Sequence, residues 1–67
     1  MEKKFKDIIE SIPKLPGIYI MKDRRSEILY IGKAKVLRNR VRSYFQNSRN
    51  FHPRTRMFLG KVDDIKF

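Results

Sequence analysis

Cysteine is absent from the 67 residues, and histidine occurs once, at His52. The first absence excludes disulfides and thiolate zinc sites, the usual staples of so small a fold. Asp and Glu together number only 7, so an all-protein metal cage is not expected. Long apolar runs are missing too, and nothing approaches the roughly 20 residues needed to span a bilayer. The opening residues, MEKKFKD, carry basic side chains with no apolar stretch behind them, which argues against a secretion signal. The chain therefore reads as cytoplasmic, with no membrane partner. It holds no internal repeat and no low-complexity segment. A chain this short buries only about 60% of its unfolded surface, so it makes one small domain or a piece of one, with no large enclosed pocket.

Positive charge is what the chain has in excess. Seventeen Lys and Arg against 7 Asp and Glu give a formal charge of +10, far beyond what solubility requires. A polyanion is the expected partner, and nucleic acid fits better than a membrane surface. Charge alone does not separate an enzyme from a passive binder.

Periodicity predicts an α/β (α+β) domain. Phe5, Ile8, Ile9 and Ile12 follow the i, i+3, i+4, i+7 pattern of one helical face, which predicts a helix over about 4–12 that Pro13 and Pro16 end. Two runs rich in Ile and Tyr, 17–21 and 27–32, flank a polar KDRRS and predict a hairpin. Helices are expected over 36–46 and 54–61, and a weakly alternating strand near 62–67. The whole is a small, mainly antiparallel three-stranded sheet flanked by helices.

Strand alternation allows a further step. Ile18 and Ile20 share one face, as do Leu29 and Ile31, and bringing these four aliphatics together requires paired residue numbers that sum to an odd total. Tyr19 and Tyr30 then share the opposite face with Met21 and Ile28. A sum of 49 would pair Tyr19 with Tyr30 and Gly17 with Gly32, leaving a glycine pair at the open end where a substrate backbone could come close.

At about 100° per residue, Val36, Leu37, Val41, Tyr44 and Phe45 fill one arc of the second helix. Arg38, Asn39, Arg42 and Gln46 fill the other. Arg40 lies inside the apolar arc. It either snorkels along its stem to the helix edge or aims its guanidinium at the tyrosine face, where the planar fork suits a phosphate oxygen. Tyr44 is either a core aromatic or a hydrogen-bonding member of the same place. The two tyrosines are either good strand formers or candidate bases, and a phenol serves as base only if nearby positive charge or a metal lowers its pKa. Lys33, next to Gly32, is placed in sequence to do so. Lys35, Arg38, Arg42, Arg49, Arg54 and Arg56 read as non-specific phosphate contacts. His52 reads as an idle loop residue, and Lys3, Lys4 and Lys6 as a solvated helix face.

These residues resemble a known family. The run Ile12-Pro13-Lys14-Leu15-Pro16-Gly17-Ile18-Tyr19, then Tyr30-Ile31-Gly32-Lys33-Ala34, and the close Arg42-Ser43-Tyr44-Phe45 resemble the GIY-YIG nuclease superfamily, within it most closely the N-terminal endonuclease domains of UvrC-type excinucleases. The resemblance implies a domain that hydrolyses a DNA phosphodiester with one divalent metal, Mg²⁺ or Mn²⁺. It implies incision on the 3′ side of a lesion in nucleotide excision repair, alongside UvrB, the damage-verifying helicase of that system, without a nucleotide cofactor. It also implies that Tyr19 and Tyr30 are the motif tyrosines, one of them the base. Gly17 and Gly32 are the motif glycines, and Lys33, Arg40 and Tyr44 the remaining site residues, with Arg40 on the phosphate.

One departure accompanies the match. The family holds its metal through a glutamate on a helix after the third strand, and Phe67 precedes that position. Asp63 and Asp64 match no metal position, and Asp23 and Glu27 lie at the hairpin loop. The reading from sequence is thus a single GIY-YIG-like domain over 1–67, incomplete at its C-terminus, with no metal ligand of its own and a sheet face left uncovered. A basic DNA-binding module that does not cut is the alternative.

Overall fold

A computed structural model of the chain describes residues 3–46 and 51–67, with side chains from Phe5 onward. The first helix, α1 (Lys3–Ser11), turns Ile9 and Ile12 fully inward, with Phe5 and Ile8 packed partly against the same core. It stops where Pro13 removes a backbone donor and restricts Ile12 before it. Strand β1 (Gly17–Lys22) lies at the centre of the sheet, between β2 (Ile28–Ala34) and β3 (Asp64–Lys66), and both pairings are antiparallel. Helices α2 (Leu37–Gln46) and α3 (Pro53–Leu59) fill the interval between β2 and β3. The predicted elements are therefore all present, each within two or three residues of its expected ends.

The core occupies one face of the sheet. Tyr19, Met21 and Ile65 from the strands meet Ile9 and Ile12 near α1, Leu37, Val41 and Tyr44 from α2, and Val62. The three buried α2 residues are spaced i, i+4, i+7, the stripe that the projection picked out. Phe5 stacks on Phe45 at 5.1 Å, joining the start of α1 to the end of α2, while Arg38 near the start of α2 reaches Ile12, so the two helices run antiparallel. The opposite sheet face is open: Ile18 is 49% and Ile31 53% exposed. The tyrosine face, expected to be partly covered, is thus the core face, and the aliphatic face is the wet one. Among the described residues, no helix is long and apolar enough to cross a membrane.

The expected register needs correction. The pairs are Gly17 with Ala34, Tyr19 with Gly32, Ile20 with Ile31 and Met21 with Tyr30, so paired numbers sum to 51 and not 49. Parity survives from Gly17 to Met21, because a slip of two residues keeps side chains on their faces, but not at the turn end, where Leu29 packs against the core and Ile28, expected on the tyrosine face, is 56% exposed. The cause lies at the turn. Asp23 accepts hydrogen bonds at Oδ1 from the amides of Arg25 (2.8 Å) and Glu27 (3.0 Å), and Ser26 takes a left-handed φ of 63°. An irregularity at Met21/Lys22 then pairs Lys22 with Ile28, as a bulge does.

Arg38 is also reassigned. Its Nε donates to the Ile12 carbonyl at 2.7 Å, binding the chain just past α1 to the first turn of α2. It is a structural tie and not a water-facing phosphate contact. We expect Arg38→Ala to cost about 1.5–3 kcal/mol, the range for hydrogen bonds to charged groups. A urea melt checks this, with Arg42→Ala expected to lie within about 0.5 kcal/mol of the unsubstituted chain.

Candidate active site

The site is built around one ring. Tyr19 leaves central strand β1, is 1% exposed, and crosses over Gly32, its cross-strand partner. A Cβ on Gly32 would overlap the Cζ and Oη of that ring. The glycine is there because Tyr19 needs the space, a different reason from the expected approach of substrate backbone. Gly17 serves packing in the same way, since a Cβ there would lie 2.9 Å from Leu37 Cδ1.

Having crossed Gly32, the Tyr19 hydroxyl meets that of Tyr44 at 2.8 Å, in a buried hydrogen bond that joins β1 to α2. The two rings meet edge to face at 5.9 Å. Tyr30 stands beside both, 6.1 Å from the Tyr19 ring and 6.3 Å from the Tyr44 ring. It differs from them in being 39% exposed. Tyr19 and Tyr30 share a face as alternation required, though as diagonal neighbours and not as a pair.

Arg40 is exposed, and its guanidinium lies 5.1 Å from the centre of the Tyr44 ring, a cation over a π face. Arg40 is thus at the helix edge with its guanidinium on the tyrosine side, in keeping with both readings of it. The apolar arc ends at the rim of the site, and Arg40 reaches out over it. Its pKa is raised above the ordinary value, first by a hydrogen bond with the Tyr19 side chain and then by the charge of Tyr44. Tyr44 is likewise pushed up, chiefly by burial and next by its hydrogen bond with Tyr19, against the opposing charge of Arg40. Tyr44 therefore holds its proton and is a poor base.

The upward shift of Tyr44 carries a pH dependence. A folded-state pKa above the unfolded value of about 10 means that the native state retains a proton which the unfolded chain gives up. The stabilisation is complete below pH ~10 and is lost as pH rises through the folded-state pKa. We expect the melting temperature to fall above pH ~10, with the slope reduced in Tyr44→Phe; equal slopes in the two proteins would contradict this.

Of the remaining basic residues, Arg56 lines a groove with Tyr44, Phe45, Leu59 and Gly60, and the other described ones lie elsewhere. Lys33 pairs with Ile18 and so shares the open sheet face, turned away from the phenols. Its expected place beside Tyr30 is corrected accordingly, because positions three apart on a strand fall on opposite faces. Lys33 and Lys35 instead line a shallow groove with Pro16, Gly17 and Ile18. Arg42 lines another between α1 and α2, with Lys6 and Glu10. Arg54 and Arg56 are exposed on α3, and Arg49 lies outside the described residues. His52 is not idle, since its Nδ1 accepts from the Arg54 amide at 3.1 Å and caps α3.

Two aromatic neighbours went unforeseen. Phe51 stacks on Tyr44 at 4.9 Å and Phe58 on Tyr30 at 5.3 Å. Positions 44, 51 and 58 are evenly spaced in sequence, a faint signal, but α2 ends at Gln46 and α3 begins at Pro53, so no helical phase carries across.

A guanidinium above linked phenols, with one phenol open to water, can grip a phosphate oxygen and touch a water beside it. Residues 15–67 match the family described as the UvrC-like GIY-YIG domain. The chain belongs to this family. UvrABC system protein C of Gloeobacter violaceus is 48% identical over 64 residues, which span 96% of this chain and 10% of that protein. The counterpart from Caldanaerobacter subterraneus is 46% identical over 59 residues, 88% of this chain and 10% of its own length. The chain thus spans about a tenth of the length of the curated relatives it matches. Among solved structures, the GIY-YIG N-terminal endonuclease domain of UvrC from Thermotoga maritima, bound to its catalytic divalent cation, magnesium, superposes with a TM-score of 0.76 at 33% identity; the match covers 98% of this chain and 70% of that one. The three-stranded antiparallel sheet with its helices is the fold of this GIY-YIG domain.

Proposed function

We propose that this GIY-YIG domain takes part in cutting DNA, its tyrosines and Arg40 forming the phosphate-facing side of the endonuclease site. One observation carries the reading. Arg40 is held against the hydrogen-bonded Tyr19–Tyr44 pair, and the exposed ring of Tyr30 lies beside both rings of that pair. Arg40 grips a non-bridging oxygen of the scissile phosphate and stabilises the negative charge that grows there in the transition state. Tyr30 is the group placed to accept the proton of the attacking water as the new P–O bond forms and the bond to the leaving nucleotide breaks. It is favoured over Tyr19 because water reaches it, whereas the Tyr19 hydroxyl is buried and engaged by Tyr44.

The described residues do not by themselves fit the divalent cation of the Thermotoga domain. No three His, Cys, Asp or Glu side chains gather among them. The groups that shift Arg40 and Tyr44 are phenols, the guanidinium and burial, with no carboxylate among them. The same observation favours a second reading, a basic module that binds DNA without cutting it. In the first reading, the protein acts in the cytoplasm on damaged duplex DNA in nucleotide excision repair, incising on the 3′ side of a lesion with the UvrB helicase as partner.

The test exchanges this chain for the matching segment of the full-length Gloeobacter relative and assays nicking of damaged plasmid with Mg²⁺ or Mn²⁺ and the UvrB helicase. Incision by the hybrid, lost in Tyr30→Phe and on chelation of the metal, is the expected result. A hybrid that binds DNA but never nicks would leave the binding module. The 67-residue chain alone is expected to bind DNA with an affinity that falls steeply with salt and to leave the plasmid intact.

A further inference from the structure

We infer that Phe58 is a positioning residue for the Tyr30 phenol and that, with Phe51, it braces the tyrosine cluster from α3. The inference rests on the nuclease reading above. Tyr19 and Tyr44 need no help, since each is buried and their hydroxyls hold one another at 2.8 Å. Tyr30 is exposed and sits on β2, a strand paired on one side only. Its ring meets those of Tyr19 and Tyr44 only at tilted or edge-on angles, and its side chain bonds to that of Tyr44, contacts that anchor the ring on one side and leave its outer face free.

Phe58 closes that freedom. Its ring lies 5.3 Å from that of Tyr30 and only 9° from parallel, its contact with the Tyr44 ring is a tilted one at 6.3 Å, and its side chain packs partly against the core. Phe51, at the head of the same segment, covers the Tyr44 ring at 4.9 Å and 20°. The segment is fixed at its start by the His52 cap and Pro53. Yet α3 contributes no buried residue, and Met57, next to Phe58, is 68% exposed. A helix that adds so little to the core nevertheless supplies, with Phe51, the rings that cover two of the three site tyrosines. A flat apolar ring set parallel to a phenol restrains it without competing for its hydroxyl, so the oxygen stays directed at the bound phosphate and water. Proton transfer requires such alignment, and displacement by about an ångström costs on the order of 100-fold in rate.

Two measurements test this. In spectra of the chain with ¹³C-labelled tyrosine, the Tyr30 ring signals should show the upfield shift of a stacked ring, and Phe58→Leu should abolish it while leaving those of Tyr19 in place. In the incising hybrid, Phe58→Leu should lower kcat roughly 10–100-fold with KM changed by less than about twofold, and Phe58→Tyr, which keeps the ring, should restore most of the rate. Phe5→Leu, which breaks the remote Phe5–Phe45 stack, should lower the melting temperature and leave kcat unchanged. If Phe58→Leu does not fold, Phe58→Tyr and the Tyr30 signals of the unsubstituted chain still decide. The brace is overturned by an unshifted Tyr30, by a Phe58→Leu hybrid that incises normally, or by an equal kcat loss in Phe5→Leu. A hybrid that fails to incise with Phe58 intact overturns the nuclease reading itself, and the brace with it.

Discussion

Gly32→Ala should destabilise the domain by about 3 kcal/mol, the upper part of the range for overpacking a filled core. In a domain of this size that lowers the melting temperature on the order of 15 °C. A glycine inside a strand ordinarily costs stability, and alanine there would be expected to help by about 0.5–1 kcal/mol. The sign reverses here because the new methyl would enter the ring of Tyr19, and that ring cannot withdraw. It is 1% exposed, and its hydroxyl is bonded to Tyr44. The other two glycines calibrate the result. At Gly17 the new methyl would press on Leu37 Cδ1, the far end of a flexible side chain, so a smaller loss is expected. At Gly60 it would come within ordinary contact, 3.5 Å, of the Met57 carbonyl, and a neutral or slightly favourable change is expected. Calorimetry of the three variants should give the order Gly32, Gly17, Gly60 from most to least damaging. A Gly32→Ala protein that melts with the unsubstituted chain would show that Tyr19 does not occupy the space assigned to it.

Arg40→Ala should reduce incision by the hybrid about 10²- to 10³-fold, the usual cost of removing one donor aimed at developing charge. The fold should hardly notice. Arg40 is exposed, and loss of its contact with the Tyr44 ring is worth only about 0.5–1 kcal/mol. Arg40→Lys should recover little, because an ammonium cannot present the planar fork that spans a phosphate edge. Arg42→Ala provides the contrast: one fewer phosphate contact, a salt dependence lowered by about one unit of slope, and no selective loss of the chemical step. Equal incision by the Arg40→Ala and Arg42→Ala hybrids would remove Arg40 from the site.

Both predictions turn on details that the amino-acid pattern carried unequally. Alternation along 17–21 and 27–32 was enough to bring Tyr19 and Tyr30 to one face, since parity follows from the pleat of the strand itself. Helical phase was enough to separate Arg40 from Arg38 and Arg42, because its angle on the helix depends only on position. The same local arguments misplaced Lys33, which alternation should have sent to the far face, and they left Arg38 in water because its carbonyl partner lies 26 residues away. Phe51 and Phe58 could not be tied to their tyrosines at all, since both lie beyond the end of α2 at Gln46, where its helical phase no longer applies.

By itself, then, the amino-acid order determined the elements, the two sheet faces, the family and the identity of the candidate phosphate-binding arginine, all properties that repeat over a few residues or rest on short motifs. The tertiary structure alone decided three things: that the tyrosine face is the core, that Gly32 opposes Tyr19, and that Tyr30 is the phenol left open to water. The reason is physical. A slip of two residues preserves every local pattern, and only the turn at Asp23–Ser26, together with the helices packed on one face, selects among the registers that the pattern permits.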